Sequence, residues 1–353
     1  QDELKELLKS RFVGGSQSPA EFNSFLRNTG YMGTIANPIS ALTQLGDPAI
    51  SMALKGFRNT ISSMFETKLV KLIDIGLENV LTKELGGDIS RTATALSKML
   101  KGTGFAAVDR LGKETYINAS LKKATSMVKS QKGEQAFRKR QGDIYGDELG
   151  GLVADLKAGT VTDNVKLYLF NELADIQPIA LSEMPQVYLD NPNGRIMYML
   201  KSFTLKMYDV VRREIVKEWK DGNQGTAVKN AALLSGYLTV ANTGIETTKN
   251  IILGREVRPE DLSGKALWSL LGVLGLNKYT SERYLERGDV TGAIINTLTP
   301  ATPMIGAIVT LGKELPKDDP NLEPALKGVP VVGPMFYNWF GGGAEKYNER
   351  LDD

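Results

Sequence analysis

Apolar residues along this chain recur at three- and four-residue steps, and clean two-residue alternation is scarce. That period favours helices and leaves little room for sheet. Helix-start signals agree with it. Ser18-Pro19-Ala20-Glu21 sets a hydroxyl at N-cap, proline at N1 and a carboxylate at N3, and Asp47-Pro48 before Ala49–Leu54 reads the same way. Asp88 can cap a helix over Ile89–Lys101 with Gly102 as its stop, and Thr280-Ser281-Glu282 opens another that Gly288 closes. Long helices are expected over Ile61–Leu85 and from Arg195 to about Lys220. In the second, Ile196, Met199, Leu200, Phe203, Met207, Val210, Val211, Ile215 and Trp219 form one apolar stripe. The best strand candidates, Val329–Val332 and Phe336–Phe340, are short and bounded by Gly or Pro. The expected fold is all-α: an irregular multi-helix assembly with long amphipathic helices and little or no sheet.

Two absences restrict the chemistry. The 353 residues contain no cysteine and no histidine. Disulfides, thiol nucleophiles, zinc ribbons, Ser-His-Asp triads and HExxH metalloprotease sites are therefore excluded. Carboxylate, lysine or tyrosine chemistry remains open. Glu172 and Glu183 fall in expected helices, but nothing in the sequence separates them from their neighbours, so no catalytic, cofactor-binding or metal-binding residue is assigned.

Composition shifts suggest four regions. These are an N-terminal helix and linker (1–17), a helical region (18–143), a second helical region (144–253) and an apolar, proline-interrupted helical region (254–353). The opening Gln1–Glu6 is charged and amphipathic rather than signal-like, and no initiator methionine precedes it; a segment of a longer chain is expected. An apolar helix is expected over 229–245. Val290–Gly312 runs without a charge between Asp289 and Lys313, a length able to cross a hydrocarbon core of about 30 Å. Its threonines and the prolines 300 and 303 fit two short helices in a core or interface better, with conditional bilayer entry left open.

The 43 Lys and Arg against 41 Asp and Glu give a net charge of only +2, well short of a dedicated nucleic-acid binder. The basic charge is nonetheless concentrated. Residues 121–140 hold Lys122, Lys123, Lys129, Lys132, Arg138, Lys139 and Arg140 against only Glu134. The 195–220 helix adds Arg212 and Arg213. The candidate phosphate contacts are Lys122, Lys123, Lys129, Arg138, Lys139, Arg140, Arg212 and Arg213. A solvated helix face is the ordinary alternative for such runs.

Several apparent motifs dissolve. Gly102-Thr103-Gly104-Phe105-Ala106-Ala107 matches GxGxxA, but a helix pattern precedes it where a dinucleotide fold needs a strand. Gly112-Lys113 lacks the upstream glycine of a phosphate loop. The pairs Ser120/Lys123 and Ser126/Lys129 have SxxK spacing without companion motifs.

One segment carries a resemblance. Gly194–Lys206, with Lys201, Ser202, Phe203, Thr204 and Lys206 as its densest part, resembles a helix near the C-terminal end of the large internal virion proteins of short-tailed bacteriophages. A polar turn (Asp221–Gly225) and an Ala/Leu/Gly-rich helix follow in kind. Upstream, Arg27–Gly33 before Asn37-Pro38-Ile39 is similar to that family's turn into a small-residue helix. The resemblance implies a structural or DNA-translocating role without enzymatic activity in this region. It implies location in the virion interior, then in the host periplasm and inner membrane after ejection. The implied partners are other virion ejection or core proteins and the portal, further copies of the chain as a homo-oligomer, double-stranded DNA bound non-specifically, and the host membrane. No cofactor is implied. The alternative is a docking or packaging module of a larger virion-carried enzyme, such as an RNA polymerase or peptidoglycan-cleaving enzyme.

Overall fold

The computed structural model describes residues 38–77, 91–177, 202–257 and 333–352, with isolated positions at 28, 31, 32, 35, 269, 272, 316 and 317. Most of these are helical, and no strand occurs among the described residues. The fold is all-α, as the periodicity predicts. The Ser18 capping box, the Val329–Val332 candidate strand, the 280–289 helices and the uncharged 290–312 stretch lie outside the described residues. Phe336–Phe340, the other candidate strand, is instead the end of a helix.

The first half begins with α1 (Pro38–Thr43), which leads through one 3-10 turn into α2 (Asp47–Lys55) and α3 (Phe57–Phe65). Gly56 separates α2 from α3 at φ 95°, a backbone conformation that side-chain-bearing residues rarely adopt. The expected Ile61–Leu85 helix is not continuous: α3 stops at Phe65, and a 3-10 turn over Leu72–Ile75 follows an extended stretch. Partners from elsewhere hold that stretch. Asn118 accepts from the Leu69 and Val70 amides at 3.0 and 3.1 Å and donates to the Val70 and Glu114 carbonyls at 2.7 and 2.8 Å. All four bonding positions of one amide are thereby used, and backbone that a helix would pair internally is paired across the core.

Next come α4 (Arg91–Gly102), α5 (Phe105–Val128), α6 (Gln131–Tyr145), α7 (Leu149–Ala158) and α8 (Asp163–Ala174). A helix does precede the GxGxxA match, and Gly104 (φ 82°) is the joint between α4 and α5. Ser130 caps α6 by accepting from the Gly133 amide at 3.2 Å, and Thr162 caps α8 through the Val165 amide.

Helix α5 is the central element. Helices α1 to α4 and α6 to α8 all pack against it. Its buried face includes Tyr116, Ile117, Ala119, Leu121, Ala124 and Val128, but also Asp109, Lys113, Thr115, Asn118 and Ser120.

The 202–220 part of the long basic helix is confirmed as α9 (Ser202–Val211), a wider π-helical segment over Arg212–Lys217, and α10 (Glu218–Lys220). Met207 and Val210 are buried, while Val211 and Ile215 pack on the same core. Trp219, assigned to that stripe by spacing, is instead 52% exposed, because it lies at the helix end beyond the packed surface. Helix α11 (Gln224–Ile252) then runs back against α1, α2 and the π segment, and it contains the expected 229–245 helix.

One hydrophobic core extends from Ala49 to Leu238, and the 143/144 boundary drawn from composition falls inside α6. A second cluster joins Tyr31, Ala41, Leu96, Leu100 and Phe105. The C-terminal helices α12 (Gly333–Phe340) and α13 (Gly343–Asp352) dock on the end of α11. Trp339 Nε1 donates to the Ile252 carbonyl at 2.9 Å, and the Arg255 guanidinium lies 4.6 Å from the centre of the Tyr347 ring.

Candidate functional site

The sequence places polar residues at four-residue steps on α2 (Asp47, Ser51, Lys55) and at helical steps on α5 (Asp109, Lys113, Tyr116, Ser120, Lys123). The fold sets these two rows together inside the molecule, where they contribute to two buried charge clusters.

In the first cluster, Lys55 Nζ donates to Glu172 Oε2, with both side chains under one-tenth exposed. Gln141 Nε2 lies 3.4 Å from the other carboxylate oxygen, and the Lys55 ammonium sits 4.8 Å from the centre of the Tyr116 ring. Burial pushes the Glu172 carboxyl up, but the Lys55 and Arg140 charges and the hydrogen bonds outweigh it and hold the group down at about 2. Around this pair, Arg140 binds Glu214 at 3.0 Å, and Arg213 bridges Glu214 and Asp175 at 3.1 and 2.8 Å. The π segment brings Arg213 and Glu214 into that chain, while Asn230 Nδ2 donates to the Glu214 carbonyl at 2.8 Å.

In the second cluster, Lys113, which has no exposed surface, binds both Asp109 oxygens at 2.8 Å. Gln177 Nε2 donates to Asp47 Oδ2 at 2.7 Å. Burial, followed by repulsion from Asp109, raises the Asp47 carboxyl to about 7 against the opposing pull of Lys113 and Gln177. Because the folded state holds this proton more tightly than an unfolded chain, the contribution to stability is full below about pH 4 and is lost as pH rises through 7. Asp47→Asn, which keeps an acceptor for Gln177, is expected to remove a stability loss of roughly 3 kcal/mol between those limits. Urea unfolding of wild type and variant at pH 5 and pH 8 measures the difference.

Two cavities adjoin the bundle. A smaller one of about 250 Å³ is bounded by Lys55, Lys123, Glu214, Lys229 and Asn230. Lys123 Nζ donates to the Leu54 carbonyl at 2.6 Å, and burial together with the Lys55 and Arg140 charges lowers this amine to about 8. A larger groove of about 560 Å³ runs between α3 and α5 and reaches the loop joining α7 and α8. Asp47 borders neither cavity. A carboxyl near 7 would suit a proton acceptor, yet this one lines neither of these two cavities.

The eight candidate phosphate contacts divide sharply. Arg138 pairs with Glu134, Arg140 with Glu214, Arg212 with Asp209, and Arg213 with Asp175 and Glu214. Lys123 is turned inward to its carbonyl. Lys139 is exposed on α6. Lys122 and Lys129 line the same groove, and the fold adds Arg58 from α3, which sequence reading missed. Of the resemblance residues, Lys201 lies outside the described residues, Ser202 and Phe203 are in α9, and Thr204 and Lys206 are half-buried.

No family model, curated protein or solved structure matches the chain. Its geometry therefore bears the weight that relatives would otherwise share. Among the described residues, no group of three or more carboxylates could hold a metal ion, and no helix is long and apolar enough to cross a membrane. Glu172 and Lys55 had no local signature because they are 117 positions apart. The polar steps at 47, 51 and 55, facing those at 109, 113 and 116, were the available clue.

Proposed function

We propose that this chain is a structural and translocation module of a phage internal virion protein, ejected with the genome and contributing to a conduit for DNA across the host envelope. The observation that carries the reading is the Gly194–Lys206 stretch and its resemblance to the C-terminal helix of those proteins. The exposed side of the same helix adds support. Leu205, Tyr208, Val216 and Trp219 are 42, 59, 41 and 52% exposed, while Met207 and Val210 face the core. An apolar outer face beside a buried inner one suits a helix that gains partners on assembly. The lack of disulfides and of histidine or cysteine metal ligands suits a chain that is unfolded, moved and rebuilt.

The test is assembly of the purified chain with lipid vesicles and DNA. Concentration-dependent oligomers that release an entrapped dye are expected, and a Tyr208→Glu/Trp219→Glu variant should assemble about tenfold more weakly. A chain that stays monomeric and leaves vesicles intact would count against the reading.

A further inference from the structure

The geometry points to the α3–α5 groove as a binding site for a phosphate-bearing ligand. Its cations come from separate places in the chain: Arg58 from α3, Lys122 from the last turns of α5, and Lys129 from the residue that ends α5. Among its lining residues the sole acid is Glu66. A chain whose charges nearly cancel thus places three cations against one carboxylate around one concavity of about 560 Å³.

The cations are differently occupied. Lys122 Nζ donates to Ser62 Oγ at 2.8 Å and to Glu66 Oε2 at 2.5 Å. An ammonium carries three donors, so one remains for a ligand. Arg58 and Lys129 are exposed, and neither side chain makes an ion pair or hydrogen bond with the described residues. Thr125 adds a hydroxyl donor on the α5 wall.

This set fits phosphate better than carboxylate. A phosphate spreads its charge over several acceptor oxygens, which can meet a guanidinium, an ammonium and a hydroxyl together. Glu66 occupies Lys122 as an internal anion, and an entering phosphate competes with it. The ligand is either a free polyphosphate or the phosphodiester backbone of a nucleic acid; the shared chemistry is the phosphate. The inference rests on the groove alone and stands apart from the conduit reading, because its test scores phosphate binding rather than assembly or membrane leakage.

The experiment titrates the full chain with tripolyphosphate by calorimetry and with a short labelled DNA duplex by anisotropy, at low and near-physiological salt. Arg58→Gln/Lys129→Gln should weaken binding by at least about tenfold, as two contacts each worth roughly fivefold. Glu66→Gln should tighten it by about threefold by releasing Lys122. The control Lys132→Gln/Lys139→Gln removes the same charge from α6 outside the groove and should leave affinity within about twofold. All substituted side chains are exposed, and unchanged thermal unfolding verifies that each variant folds. Equal variant sensitivity with both probes identifies the phosphodiester as a source, whereas binding of tripolyphosphate alone identifies a small polyphosphate; either supports the site. Absence of binding to both, an equal loss in the α6 control, or no gain in Glu66→Gln would overturn it.

Discussion

Glu172→Gln is expected to lower the unfolding free energy by about 3–5 kcal/mol, the range for breaking a buried ion pair. The substitution leaves the Lys55 ammonium almost fully buried, facing a neutral amide and the Tyr116 ring. A buried charge without its counter-charge loses solvation that the remaining contacts do not restore. Lys55→Met is expected to cost less, because Arg140 and Gln141 still engage the Glu172 environment. The double variant Lys55→Met/Glu172→Leu should recover more than half of the Glu172→Gln loss, since matched apolar groups replace a buried pair at little net cost. Urea unfolding of wild type, Lys55→Met, Glu172→Leu and the double variant provides the cycle, with Glu172→Gln measured beside it. Losses that simply add would show that the two residues act independently. The acid limb gives a second measure. Glu172 is held down at about 2, so its contribution is complete above about pH 4.5 and disappears as pH falls through 2. That loss should be smaller in Lys55→Met.

Asn118→Leu is expected to cost about 3 kcal/mol and to free the stretch between α3 and the Leu72–Ile75 turn. Leucine is close in size, so the change removes hydrogen bonds more than volume. It leaves the Leu69 and Val70 amides and the Val70 carbonyl without their side-chain partner, and Val70 has no exposed surface. Each buried unpaired backbone group costs on the order of 1–3 kcal/mol, partly relieved as the segment moves toward water. Amide hydrogen exchange at Leu69 and Val70 should accelerate far more than exchange in α8. Equal acceleration in both places would mean global loss of stability rather than release of this segment.

These two sites show where sequence reasoning stopped. The Asp47-Pro48 start signal, the Met207–Val210–Val211 stripe and the helix over 229–245 were legible because each depends on neighbours within a few turns. The long helix expected from Ile61 was not, because Asn118 takes over the backbone bonds of the segment that would have continued it. Helix α5 was equally hard to place. Its buried surface contains Asp109, Lys113, Thr115, Asn118 and Ser120, so hydrophobic periodicity does not reveal that it is the centre of the bundle. The run at 121–140 was visible as charge, but its uses were not. Arg138 pairs within its own helix, Arg140 holds the π segment through Glu214, Lys123 is turned inward, and of this run only Lys122 and Lys129 share the groove.

The sequence by itself determined that this chain is helical and that cysteine and histidine chemistry is closed to it. Both follow from local facts: a three- to four-residue apolar period, and two residue types that are absent. Only the tertiary structure decided which charges are neutralised inside the bundle and which face a space where a ligand could sit. Pairing between Lys55 and Glu172, or convergence of Arg58 with Lys122 and Lys129, depends on how helices pack. Packing brings together residues whose separation along the chain carries no trace of their proximity.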